Sequence, residues 1–199
     1  MEQGLIRLII LKPNKDKMNI ENWRPITLLN NDAKIFASIF AQRLKVGLGE
    51  IIDEEQSGFM TGRSIINNVR LILDLIDYNE YINEDSLVLF VDFYKAFDTV
   101  NHQFIVKTLK TFGFGERFID IIATLYKGCN SSVKLQHGTS PRFNIDRGIK
   151  QGCPLSPYLF LLVAQMLATR VKMTNFHGIC AFDSLCSQHL CYKEEQAQA

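Results

Sequence analysis

The sequence predicts a mixed fold of the α/β (α+β) class. Three features point to it: an almost wholly apolar, β-prone run at Ser86–Val91, two front-half segments with helical spacing of apolar residues, and period-two alternation at Val133–Gln136 and Phe143–Asp146. The 199 residues suit one domain or slightly more, and 47% hydrophobic with 22% charged residues is a core-forming composition, not a disordered one. A net charge of +1 means that any nucleic-acid surface must be local.

Leu5 to Leu11 reads as a strand, closed by the charged, proline-containing turn Lys12-Pro13-Asn14-Lys15-Asp16-Lys17. Trp23-Arg24-Pro25-Ile26 is expected to be extended, because the residue before proline is pushed out of the helical region. Asn30, Asn31 and Asp32 offer a cap for a helix from about Ala33 to Val46, with Ile35, Phe36, Ile39, Phe40 and Leu44 as its apolar stripe. After the glycine-containing loop Gln56–Arg63, Ser64 caps a second helix whose buried side is expected at Ile65, Val69, Ile72, Leu73 and Ile76. Ser86–Val91 reads as a central strand covered on both faces, although a buried helix has the same pattern. Helices at Gln103–Thr111 and Glu116–Tyr126 follow, split by Gly113 and Gly115. A hairpin turning at Gly138–Pro141, a loop over Gly148–Pro154 and an apolar helix starting at or after Pro157 complete the chain.

Five cysteines form an odd set, and Arg7 interrupts the only apolar stretch near the start. The longest apolar run, Tyr158 to Met166, contains Gln165 and is well short of a membrane span. The expectation is an intracellular protein, cytoplasmic or nuclear, with reduced thiols and no membrane partner.

Asp92 closes the apolar run, and Asp98 follows after Phe93-Tyr94-Lys95-Ala96-Phe97. A carboxylate just beyond a buried strand sits where a sheet meets solvent, a position that suits Mg²⁺, a hard cation that shares oxygen ligands with phosphates. Aspartate also ends strands simply as a turn former, and the pattern leaves both readings open. For Asp98 the expected role is to accept backbone N–H groups in the turn before the next helix.

Phe90-Val91-Asp92-Phe93-Tyr94-Lys95-Ala96-Phe97-Asp98-Thr99-Val100-Asn101-His102 closely resembles the first catalytic motif of non-LTR (LINE-type) retrotransposon reverse transcriptases. Four further blocks resemble the same family in the same order: Leu11–Asp16, Asn22–Asn30, Gln56–Ser64 and Gly148–Phe160. The resemblance implies a right-hand polymerase architecture. Residues 1–85 would be the fingers-like region, 86–179 a partial palm and 180–199 a divergent, disordered tail, with the thumb absent. It implies that Asp92 is the catalytic carboxylate that binds Mg²⁺ and that Phe97 is the aromatic gate against a 2′-hydroxyl. Arg24 would contact the triphosphate of the incoming dNTP, with Lys12 nearby, and Gln151 and Gly152 would lie under the nascent base pair. The chemistry agrees: a guanidinium fork matches phosphate oxygens, and glycine lets a backbone approach closely. Arg63, Arg147 and Lys150 are candidates for template or primer phosphates, with solvated surface charge as the alternative for these and for Arg24. Trp23 reads as a packing residue.

The partners implied are an RNA template, a DNA primer and dNTP; no protein partner is implied. The family places its remaining metal-binding acids on an Asp-Asp turn, but the pattern holds here only through Gly178-Ile179, and no Asp-Asp pair follows. Asp183 is a single acid followed by serine. One carboxylate cannot hold two cations, so the expected function is a reverse-transcriptase domain that is inactive as this chain alone. A non-enzymatic nucleic-acid-binding remnant, or a product without selected function, are the alternatives.

Overall fold

The computed structural model describes residues 3–10, 14, 16–83, 87–173, 180–183 and 188–193. The chain forms two compact units, each made of two separate segments: residues 1–46 with 97–160, and 47–96 with 161–199.

In the first unit β1 (Gln3–Ile10) pairs antiparallel with β2 (Trp23–Leu28) and parallel with β4 (Asn130–Leu135). β5 (Gly138–Thr139) and β6 (Phe143–Asn144) both pair antiparallel with β4. The hairpin expected after residue 133 therefore exists, but it turns at Gln136-His137, two residues before the expected Gly138. Tight turns favour such short loops, and Gly138 at φ +109° takes a conformation that side chains resist.

A single-turn helix α3 (Ala96–Thr99) precedes α4 (His102–Thr111) and α5 (Glu116–Tyr126), and these last two form a hairpin through Gly113 at φ +75°. They bury Ile105, Leu109, Ile119 and Ile122. Asn101 caps α4, its side chain accepting from the N–H groups of Gln103 and Phe104. The first helix, α1 (Asn31–Ile51), is seven residues longer than the sequence stripe suggested if both ends are counted, and its buried line is different. Ala37, Ala41, Leu44 and Leu48 are buried, whereas Ile35 and Ile39 are exposed. The buried residues follow one another at spacings of four, three and four, a single helical face from which Ile35 and Ile39 are turned away.

The second unit contains α2 (Ile65–Ile82), capped by the Ser64 side chain as expected and closed by Asn83 in the left-handed conformation. Its expected buried side is not buried: Val69, Leu73 and Ile76 are 49%, 55% and 49% exposed. β3 (Leu87–Asp92) is the strand expected at 86–91, but Leu89 and Phe90, which alternation sends to opposite faces, are both half-exposed. It is thus not covered on both faces. β8 (Gln188–Lys193) pairs with β3, and β7 (Cys180–Asp183) with β8, all antiparallel. Part of the stretch expected as a disordered tail is strand; a β-prone run such as β3 presents backbone donors and acceptors that an adjacent segment can satisfy.

α6 (Ser156–Lys172) starts one residue before Pro157, so that proline occupies the first turn. No helix among the described residues is long and apolar enough to cross a membrane.

Candidate functional site

Of the expected metal- and nucleotide-binding residues, Arg24, Phe97, Gln151 and Gly152 lie in the first unit. Asp92 lies in the second, and Lys12 lies outside the described residues.

The loop from Arg147 to Cys153 carries no regular structure but is fixed at several points. Gly148 N–H donates to Val100 O at 2.8 Å, Ile149 N–H to Phe97 O at 2.7 Å, and Thr27 N–H to Gln151 O at 2.8 Å. Gly148 and Gly152 have φ of +93° and +100°. A Cβ at Gly152 would stand 2.9 Å from Thr27 O, and one at Gly148 would stand 3.1 Å from Asp98 O. Both glycines are needed for backbone to touch backbone.

The loop thus meets β2 at its free edge, on the side of the strand away from β1. The Cβ position of Gly152 is 3.7 Å from the Ile26 side chain. Ile26 and Arg24 are two residues apart on one strand and share a face, while the buried Thr27 side chain is on the other. Arg24 is exposed, and its guanidinium makes no hydrogen bond or ion pair with a described residue. The arrangement is a glycine-containing loop hydrogen-bonded to the free edge of β2, the strand that carries the exposed Arg24.

Phe97 stacks on Phe160 with ring centroids 4.4 Å apart and planes 19° apart. Asp98 does not play the part expected of it. Asn101 supplies the oxygen that caps the next helix, and the Asp98 carboxylate instead accepts from Gln151 Nε2 at 2.8 Å. Nothing in the local sequence marks that pair, whose members are 53 residues apart. Trp23 is half-buried and donates from its indole N–H to Lys17 O at 3.1 Å, in keeping with a packing role.

Two of the expected phosphate contacts are committed elsewhere. Lys150 Nζ donates to Leu125 O at 3.4 Å, at the C-terminal turn of α5, and lies 5.9 Å from the Tyr126 ring centre. Burial pushes the Tyr126 hydroxyl well above its ordinary pKa, helped by the nearby Cys153. In the second unit, Arg63 donates to the backbone oxygens of Asp53, of Gln56 at 3.0 Å and of Ile52 at 3.1 Å. It locks the loop after α1. Arg147 is exposed and forms a backbone bridge with Asn101.

Asp92 ends β3, exposed to solvent and in register with Gln188 of β8. Lys95, three residues on, has φ +47°, an uncommon conformation for a side-chain-bearing residue that makes the turn after the carboxylate tight. Among the described residues no group of three or more His, Cys, Asp or Glu is placed to hold a metal ion.

Residues 10–192 match the reverse transcriptase (RNA-dependent DNA polymerase) family. The chain belongs to that family. Its relatives are non-LTR retrotransposon proteins, as the motif resemblance implied. Over 158 residues, 79% of this chain, it is 37% identical to the uncharacterized 149 kDa protein of transposon TX1 from Xenopus laevis. Over 170 residues, 85% of the chain, it is 29% identical to the Pol polyprotein of a type-1 retrotransposable element R2 from Popillia japonica. The chain spans 12% and 24% of the lengths of these two relatives.

The fold is also found in telomerase. A Candida tropicalis telomerase in complex with a fragment of telomeric RNA superposes with a TM-score of 0.68, at 11% identity, over 98% of this chain and 36% of that one. The apo enzyme from the same source gives 0.65 over 44% of its chain. The mixed helix-and-strand reverse-transcriptase fold expected from the sequence is thus the fold observed.

Proposed function

We propose that this reverse-transcriptase domain binds the incoming dNTP and an RNA template paired to a DNA primer, and that on its own it binds without polymerising. The observation that carries the binding half is the pairing of the Gln151-Gly152 loop with the edge of β2, the strand that bears the exposed Arg24. Arg24 would take the triphosphate through charge-assisted hydrogen bonds, and the Gln151-Gly152 backbone would support the base pair. Phe97, held flat against Phe160, would stand beside the sugar and exclude a 2′-hydroxyl.

The family's two-metal chemistry supplies a nucleophilic primer oxygen and a stabilised leaving phosphate. Asp92 is chemically apt as one oxygen ligand for Mg²⁺. A single carboxylate does not fit a pair of divalent ions, and the sequence contains no Asp-Asp pair to complete it.

The test measures binding of an RNA–DNA hybrid and of dNTP to the purified chain across a salt series, alongside primer extension with Mg²⁺. Expected are salt-dependent binding, weakened about tenfold by Arg24→Ala, and no extension above an Asp92→Ala control. Absence of binding at low salt would remove the binding half. Extension that Asp92→Ala abolishes would remove the other.

A further inference from the structure

The contact between Asp98 and Gln151 has a consequence for what the loop can recognise. An ionised carboxylate only accepts hydrogen bonds, whereas a glutamine amide carries both a donor and an acceptor on one flat group. With Nε2 turned to Asp98 at 2.8 Å, the amide must turn Oε1 the other way. Both members stand on fixed backbone. The hydrogen bonds from Ile149 to Phe97 and from Gly148 to Val100 bracket Asp98, and Gly148 presses on its main chain, where a Cβ would come within 3.2 Å of the Asp98 Cα. Gln151 is tied to β2 through Thr27.

We infer that Asp98 is a positioning residue that sets the polarity of the Gln151 amide, so that the loop presents an acceptor, Gln151 Oε1, to a hydrogen-bond donor on the bound nucleotide. This rests on the nucleotide-binding reading of the loop proposed above. A deoxycytidine nucleotide offers two kinds of donor, the sugar 3′-hydroxyl and the base amino group. A ligand that brings only an acceptor to this place would meet Oε1 as a like partner and bind less well.

Asp98→Asn separates positioning from simple stapling. Asparagine keeps the shape and keeps a hydrogen bond in either sense, accepting from Nε2 or donating to Oε1. The staple survives, but the amide is no longer held one way round. The experiment uses the full chain. The Gln151 side-chain amide signals in the ¹H–¹⁵N NMR spectrum are identified by their loss in Gln151→Leu, and are then followed in Asp98→Asn and Asp98→Ala. In parallel, equilibrium binding is measured for dCTP, for 2′,3′-dideoxy-CTP, which lacks the 3′-hydroxyl, and for dUTP, which lacks the base amino group.

The expected result is that both Asp98 variants move the Gln151 amide signals. The wild-type chain should prefer dCTP over one of the other two by about three- to tenfold, the worth of one neutral hydrogen bond. Whichever comparison shows the preference identifies the donor. Asp98→Asn should level that preference without changing the unfolding midpoint, Gln151→Leu should level it too, and the double variant should lose no more than either single one. Amide signals unmoved in both Asp98 variants overturn the inference. So do a preference that survives Asp98→Asn and effects of the two substitutions that add. If the wild-type chain binds none of the three nucleotides, the nucleotide reading fails, and the amide signals alone decide whether Asp98 orients Gln151.

Discussion

Arg63→Ala distinguishes a loop lock from a phosphate contact. The wild-type guanidinium donates to three backbone oxygens, and two of these belong to Ile52 and Gln56, which are only 3% and 2% exposed. A hydrogen bond from a charged donor is worth about 1.5–3 kcal/mol, so the two buried ones together contribute about 3–6 kcal/mol. Removing the side chain opens a path for water to reach those oxygens, which reduces the loss to roughly 2–4 kcal/mol. At about 2–4 °C per kcal/mol for a chain of this size, the melting midpoint should fall on the order of 10 °C. Urea unfolding followed by circular dichroism measures the loss, with Arg63→Lys expected in between because a compact ammonium cannot span three diverging carbonyls. The reasoning is refuted if Arg63→Ala leaves the midpoint and slope unchanged while binding of an RNA–DNA hybrid is lost. Arg63 would then be the phosphate contact that its sequence position suggested.

Three other outcomes are expected. Gly152→Ala places a Cβ 2.9 Å from Thr27 O at a φ of +100°, and should lift the loop from β2; amide exchange at Thr27, which donates to Gln151 O, should accelerate at least about tenfold. Burial opposes ionisation of Asp53, but hydrogen bonds from Lys172 and Gln165 and the charges of Lys172 and Arg63 outweigh it and hold the carboxyl below its ordinary 3.8. A depressed carboxyl stabilises the fold above its unfolded pKa and loses that contribution as pH falls through the folded value. Lys172→Ala should therefore cost up to about 1 kcal/mol at neutral pH, since the pair is partly exposed, and the difference from wild type should vanish in acid below the folded value; an unchanged difference there would rule out the pair as its source. Phe97→Val should raise the affinity for rNTP relative to dNTP by about tenfold, measured by competition binding, and an unchanged ratio would exclude Phe97 as the sugar gate.

The sequence by itself determined the family and nearly every element, because those signals are local. Ser64 before an apolar-periodic run marks a helix start wherever the chain goes, and Leu87–Asp92 forms a strand with Asp92 at its end because β-prone residues run out there. The glycines at 148 and 152 were visible as loop formers within a recognisable block. What tertiary structure alone decided is which partner each group meets. Periodicity placed Val69, Leu73 and Ile76 on one face of α2, yet periodicity says which residues share a face and not whether anything covers it; that face is half-exposed. Arg63 looked like a free cation until folding brought three carbonyls around it. Asp98 is the sharpest instance. Its neighbours suggested a turn acceptor, but the cap belongs to Asn101, and the carboxylate is left to receive an amide from 53 residues away. A side chain's donors and acceptors are written in the sequence, while the direction in which they are satisfied is set by whichever backbone the fold brings within 3 Å.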